Sequence, residues 1–154
     1  MKTYTAEEVA RTIDHAVLKP TFTNNDIKKH AEMCRKRNVM SMCVRPSDVA
    51  LASECLKGSN TCVSVVVGFP HGSNKTEVKA FESKLAIQDG AKEIDMVMNI
   101  GRFLSGDYDY VQKDIAAVVA EAKPKGVLVK VIFETCNLTP EQIVKACHCR
   151  SRGC

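Results

Sequence analysis

Glu93-Ile94-Asp95-Met96-Val97-Met98 and Val127-Leu128-Val129-Lys130-Val131-Ile132-Phe133 decide the fold. Each is a near-continuous apolar run, the pattern of a strand buried on both faces of a parallel sheet. Two further runs precede them, Val39 to Val44 and Cys62 to Val67, and a helical stretch follows each of the four. Val39–Val44 stops at Arg45-Pro46, and Ser47 is placed to cap the next helix. Cys62–Val67 ends in Gly68-Phe69-Pro70-His71-Gly72, before a long helix with Val78, Phe81 and Leu85 at helical spacing and Gly90 as its stop. Glu93–Met98 closes on Asn99-Ile100-Gly101. The helix after it carries Val111, Ile115, Val118 and Ala122, and Pro124-Lys125-Gly126 breaks it. Thr139-Pro140-Glu141-Gln142 opens the last helix with a cap, a first-turn proline and a reciprocal glutamine. Upstream, Thr5 and Glu8 have capping-box spacing, and Thr23-Asn24-Asn25-Asp26 opens a helix with Ile27, Ala31 and Cys34 on one face.

Strand–helix alternation four times over predicts a parallel sheet covered by helices. An open doubly wound sheet and part of a (β/α)8 barrel both satisfy it. No G-x-G-x-x-G turn follows the first strand, which removes support from the dinucleotide-binding form of the open sheet.

Asp95 and Lys130 break the apolar pattern near the middle of their strands, and burying either charge alone would cost several kcal/mol. Alternation puts Asp95, Val97 and Asn99 on one face, and Leu128, Lys130, Ile132 and Glu134 on one face of the other strand. If the strands are neighbours and both faces point into a barrel, the two charges meet. A structural ion pair is one reading. A proton-transfer or Schiff-base site is the other, because a lysine in a dry pocket has a lowered pKa and becomes nucleophilic. Spacing alone does not choose between them. Arg45, the Gly68–Gly72 loop, Asn99 and Glu134-Thr135 all fall at C-terminal strand ends, where a barrel keeps its active site. His71 reads equally well as a loop histidine. Ile13-Asp14-His15-Ala16-Val17-Leu18-Lys19-Pro20 reads as a polar connector.

Length and composition bound the function. The 154 residues suffice for one ordinary domain, and 45% hydrophobic with 26% charged residues fits a globular core. The net charge of +4 is spread along the chain and does not imply nucleic acid. No apolar run approaches the roughly 20 residues that cross a bilayer. The first residues lack the apolar stretch of a secretory signal, so the cytoplasm is the expected compartment. The eight cysteines do not read as a disulfide framework. Cys34, Cys43, Cys55, Cys62 and Cys136 lie inside apolar patterns, where a thiol behaves as a small hydrophobe. Cys147, His148, Cys149 and Cys154 cluster at the end without a second Cys/His pair at zinc-ligand spacing, so no metal is expected.

Five ordered segments carry a family resemblance. They are Ile13-Asp14-His15 through Leu18-Lys19-Pro20, Cys43-Val44-Arg45-Pro46, Val67-Gly68-Phe69-Pro70-His71-Gly72, Glu93 through Gly101, and Lys130-Val131-Ile132-Phe133-Glu134-Thr135-Cys136. From about Thr5 to Cys147 the chain resembles deoxyribose-phosphate aldolase, a class I (lysine Schiff base) aldolase on a TIM barrel. The resemblance implies a lyase of deoxyribonucleotide catabolism. It would split 2-deoxy-D-ribose 5-phosphate reversibly into D-glyceraldehyde 3-phosphate and acetaldehyde, without metal or other cofactor. Asp95 matches the family's proton-relay aspartate, and Lys130 a pocket lysine that does not form the imine. Asp14, Cys43 and Phe69 match positions lining the substrate pocket.

The resemblance also implies what is missing. The family's imine-forming lysine lies on the next strand, in a segment like A-G-A-D-F-V-K-T-S-T-G, and the 154 residues hold no such segment. The expected architecture is therefore the first half of a (β/α)8 barrel, four parallel βα units preceded by N-terminal helices. Residues 1–146 form the partial aldolase domain and residues 147–154 an aberrant Cys/Arg-rich tail. Back-translating the tail and shifting one base allows small, helix-compatible residues, so a frameshift or gene-model error near Cys147 is expected, with an authentic divergent C-terminus as the alternative. Such a half barrel is expected to be inactive alone and to aggregate or pair through exposed edges. A non-catalytic half-barrel subunit or interaction module is the competing expectation. Neither nucleic acid nor membrane is an expected partner.

Overall fold

The computed structural model describes the backbone of residues 3–152 and side chains through Cys149. Five parallel strands, β1 (Asp14–Val17), β2 (Ser41–Val44), β3 (Cys62–Val67), β4 (Glu93–Val97) and β5 (Leu128–Ile132), lie side by side in chain order. The helices are α1 (Ala6–Ala10), α2 (Asn24–Arg37), α3 (Val49–Leu56), α4 (Thr76–Gln88), α5 (Ile100–Leu104), α6 (Tyr108–Ala122) and α7 (Pro140–Arg152). A doubly wound sheet reverses its strand order part-way. This one never does, and its strand–helix units resemble a partial TIM barrel with five of the typical eight strands.

The count corrects the expected four strands. Asp14-His15-Ala16-Val17, expected as a connector, pairs with Ser41 to Val44 as the first strand. Its polarity has a local cause: Asp14 faces the polar inner side of the sheet, and His15 turns outward to His30 on α2, 3.0 Å away.

The sheet has two unlike faces. Val17, Met42, Val44, Val63, Val65, Val67, Ile94, Met96 and Met98 point toward the helices and belong to the main core. The alternate positions, Asp14, Ser41, Cys43, Ser64, Glu93, Asp95 and Lys130, form the other face. α2 seats Ile27, Ala31 and Cys34 on the core as its spacing predicts, behind a Thr23–Asp26 capping box. α6 buries Val111, Ile115, Val118 and Ala122.

α4 departs from its pattern. Val78, Phe81 and Leu85 are 49%, 60% and 45% exposed, while Lys79, Ser83 and Ala86 are buried. Small side chains and a lysine stem let the helix approach β3, and the large apolar residues turn outward. Lys79 Nζ donates to Asp114 on α6 at 2.6 Å and to the Val97 carbonyl at 2.9 Å. Its stem also fills the space above Gly68, where a Cβ would lie 2.8 Å from Lys79 Cε.

The last helix is reciprocally capped by Thr139 and Gln142. α7 continues to Arg152 and buries Ala146 and Cys149. Cys154 lies outside the described residues.

Candidate active site

Asp95 and Lys130 are register partners on β4 and β5, so the two charges share one face of the sheet. Lys130 Nζ lies 3.0 Å from Asp95 Oδ1, 3.0 Å from Glu93 Oε2 and 2.6 Å from Asp14 Oδ2. An ammonium has three donors, and here each meets a different carboxylate. The Asp14 contact joins the two edge strands across the concave face.

Around this core the strands add polar groups at matching levels. Ser41 Oγ donates to Asp14 Oδ1 at 2.6 Å. Ser64 Oγ donates to Asp95 Oδ2 at 2.7 Å, and the Cys43 thiol approaches the same oxygen at 3.4 Å. Ser41 and Ser64 are fully buried, and Asp95 is 9% exposed.

The electrostatics bear on the two readings of Lys130. A lowered pKa was the premise of a nucleophilic lysine. Burial does push the Lys130 ammonium down, but hydrogen bonds to Asp14, Glu93 and Asp95 outweigh it and hold the pKa well above the ordinary lysine value. Those three carboxylates favour the charged ammonium. Asp14 is the complement: burial raises its pKa, and the bonds from Lys130 and Ser41 more than reverse this. The Cys43 thiol is pushed up to about 12 by burial and by the Asp95 charge. It is an inert neighbour in this state, because the thiolate is the reactive form.

Asp14, Cys43, Asp95 and Lys130 thus come together, while Phe69 stands apart. Phe69 is 46% exposed and lines a cavity of about 390 Å³ with Leu18, Pro20, Arg45, Pro46, Val66, Pro70 and Glu82. The other polar groups at strand ends are engaged locally. Arg45 bonds Asp48 and the carbonyls of Lys19, Pro20 and Phe22. Asn99 caps α5. Glu134 accepts the Cys136 thiol. His71 is exposed in its loop.

Sequence reasoning missed Ser41, Ser64 and Glu93 as members of the cluster. The available signal was a serine interrupting Cys62-Val63-Ser64-Val65-Val66-Val67, two residues from an inward position. Among the described residues, no group of three or more His, Cys, Asp or Glu side chains is arranged to hold a metal ion. No described helix is long and apolar enough to cross a membrane.

Residues 8–149 match the family model described as DeoC/LacD family aldolase. The chain belongs to the DeoC/LacD aldolase family. A deoxyribose-phosphate aldolase of Clostridium perfringens is 51% identical over 142 residues, 92% of this chain and 63% of that protein. Among solved structures, an aldolase designated QR15 superposes with a TM-score of 0.89 at 35% identity, covering 95% of this chain and 64% of its own. The tetrameric deoxyribose phosphate aldolase of Aeropyrum pernix gives a TM-score of 0.89 at 25% identity, over 97% of this chain and 62% of its own. This DeoC/LacD chain therefore spans less than two thirds of the relatives it matches.

Proposed function

We propose that the chain is the five-strand N-terminal part of a deoxyribose-phosphate aldolase. The reaction is the reversible cleavage of 2-deoxy-D-ribose 5-phosphate to D-glyceraldehyde 3-phosphate and acetaldehyde, in cytoplasmic deoxyribonucleotide catabolism. The observation that carries this reading is the Lys130 ammonium held by Asp14, Glu93 and Asp95.

A class I aldolase needs three capabilities in one pocket. An amine attacks the substrate carbonyl and loses water to form an imine. The protonated imine then accepts the electron pair of the breaking carbon–carbon bond. A relay takes the proton from the hydroxyl that becomes the carbonyl of the departing aldehyde and returns one to the enamine carbon. In this reading Asp95 is the relay, and Lys130 sets the charge around it and is not the imine former. Asp14 and Cys43 line the pocket, and Phe69 lines the separate cavity with Leu18, Pro20 and Arg45. The raised Lys130 pKa supports that division, since a protonated amine has no lone pair for attack.

The imine-forming lysine is supplied by sequence that these 154 residues do not hold. The purified chain, given 2-deoxyribose 5-phosphate and borohydride, is expected to show no turnover and no reduced adduct by intact mass. Adding a polypeptide that spans the remaining strands of a relative is expected to restore both, with the adduct on the added polypeptide. Asp95→Asn is expected to abolish the restored turnover. Turnover by the chain alone, with an adduct on Lys130, overturns the reading. A defined, inactive complex with that polypeptide would favour a non-catalytic half-barrel module.

A further inference from the structure

The methionines occupy unlike environments. Met42, Met96 and Met98 are fully buried in the core, and Met33 is half-buried against it. Met40, just before β2, is 37% exposed. Met1 lies outside the described residues.

The Met40 sulfur carries a specific contact. Arg11, the residue that ends α1, donates from Nη2 to Met40 Sδ at 3.0 Å. Its Nη1 donates to the Val39 carbonyl at 2.8 Å and to the Asn60 carbonyl at 3.1 Å. One guanidinium thus ties α1 to the segments leading into β2 and β3. The thioether is the weak member of this set, because sulfur is a poor acceptor beside a carbonyl oxygen. A charged donor bonds most strongly to an oxygen that carries negative charge.

Oxidation of Met40 supplies such an oxygen. We propose that Met40 is a methionine sulfoxidation site whose product Arg11 holds, so that peroxide tightens the link between α1 and the sheet. A sulfur lone pair attacks one oxygen of hydrogen peroxide. The S–O bond forms as the O–O bond breaks, so sulfur is oxidised and peroxide reduced. The proton on the transferred oxygen passes to the departing hydroxide, which leaves as water. The sulfoxide oxygen is charged enough to replace sulfur as the acceptor for Arg11 Nη2. At a buried methionine the same step would put a polar oxygen into the core and disrupt it. Met40 sits on the rim, where the oxygen meets a cation. Methionine sulfoxide reductases reverse the step. The site is separate from the Asp95–Lys130 cluster and from the reaction proposed for it.

The test uses the full chain, with exposed thiols capped by iodoacetamide and hydrogen peroxide as the oxidant. Peptide mass spectrometry is expected to find Met40 oxidised at least about fivefold faster than Met33, with Met42, Met96 and Met98 unreacted until the chain unfolds. The form carrying only the Met40 sulfoxide, isolated by chromatography, is expected to unfold at higher urea than the unoxidised chain. In Arg11→Gln the same oxidation is expected to leave the midpoint unchanged or lower it. Hydrogen exchange of the Arg11 guanidinium in the wild-type chain, read by ¹⁵N NMR, needs no variant and is expected to slow at least about twofold on oxidation. Met40 oxidised no faster than Met33 overturns the site. A midpoint that oxidation shifts equally in wild type and Arg11→Gln, or guanidinium exchange that oxidation leaves unchanged, overturns the role given to Arg11.

Discussion

Lys79 on α4 and Asp114 on α6 meet at 2.6 Å with neither side chain exposed to solvent. Thr76 adds a hydrogen bond to the other Asp114 oxygen at 2.9 Å, and the Val97 carbonyl accepts from the ammonium. The pair ties two outer helices to the end of β4, two residues beyond Asp95. Removing one partner strands a buried charge. Lys79→Ala or Asp114→Ala is expected to lower the unfolding free energy by about 3–5 kcal/mol in urea titrations. The joint replacement Lys79→Met/Asp114→Leu is expected to cost less than either single change. A single replacement costing under about 1 kcal/mol contradicts this account of the pair.

Arg45 organises the loop between β1 and α2. Its guanidinium donates to the carbonyls of Lys19, Pro20 and Phe22 at 3.0, 3.1 and 3.0 Å, and to Asp48 at 2.6 Å. A lysine keeps the charge but cannot span that fork. Arg45→Lys is expected to cost about 1–3 kcal/mol and to speed amide exchange at Phe22. Unchanged exchange there would show that the loop is held by other contacts.

The cysteines are expected to separate by environment. Burial pushes the Cys34 thiol up to about 11, and burial with the Asp95 charge pushes Cys43 up to about 12. Cys147 is exposed, and Cys136 is exposed but raised by its bond to Glu134. Iodoacetamide at pH 8, read by peptide mass spectrometry, is expected to modify Cys147 first, Cys136 more slowly, and Cys34 and Cys43 only on unfolding. Labelling of Cys43 as fast as Cys147 contradicts the burial of Cys43 on the inner face.

His15 gives the fold an acid limb. Burial and the positive charge of His30 hold its pKa below the ordinary value of 6.5. Between the folded value and 6.5 the unfolded chain binds more protons. The stabilisation is therefore complete above about 6.5 and is lost as the pH falls through the folded value. The urea midpoint is expected to fall from pH 7 to pH 5, and His15→Asn is expected to flatten that part of the curve. An equally steep decline in His15→Asn would assign it to other groups.

Much of the fold was legible in the sequence, because parallel strands buried on both faces leave long apolar runs. The four such runs became β2 to β5, with Cys62–Val67 unchanged and the other ends shifted by no more than two residues. β1 was hidden because both of its faces carry polar groups: Asp14 serves the inner cluster and His15 pairs with His30. α4 misled for the converse reason. Its large apolar residues face outward, and its packed side is a lysine, a serine and an alanine. The Asp95–Lys130 pair could be anticipated from two charges in apolar strands. Asp14 entered only through the family resemblance and Glu93 not at all, because Lys130 reaches Asp14 only after the sheet curves one edge toward the other.

The central claim is that Lys130 is a cation that serves Asp95. Direct titration of the Lys130 ammonium by NMR, with ¹³C- and ¹⁵N-labelled lysine and assignment by Lys130→Arg, tests it most directly. The account predicts a midpoint above the ordinary lysine value of about 10.4, falling in Asp14→Asn and in Asp95→Asn as each carboxylate is removed. A midpoint below the ordinary value in the wild-type chain would contradict it and return Lys130 to the role of nucleophile.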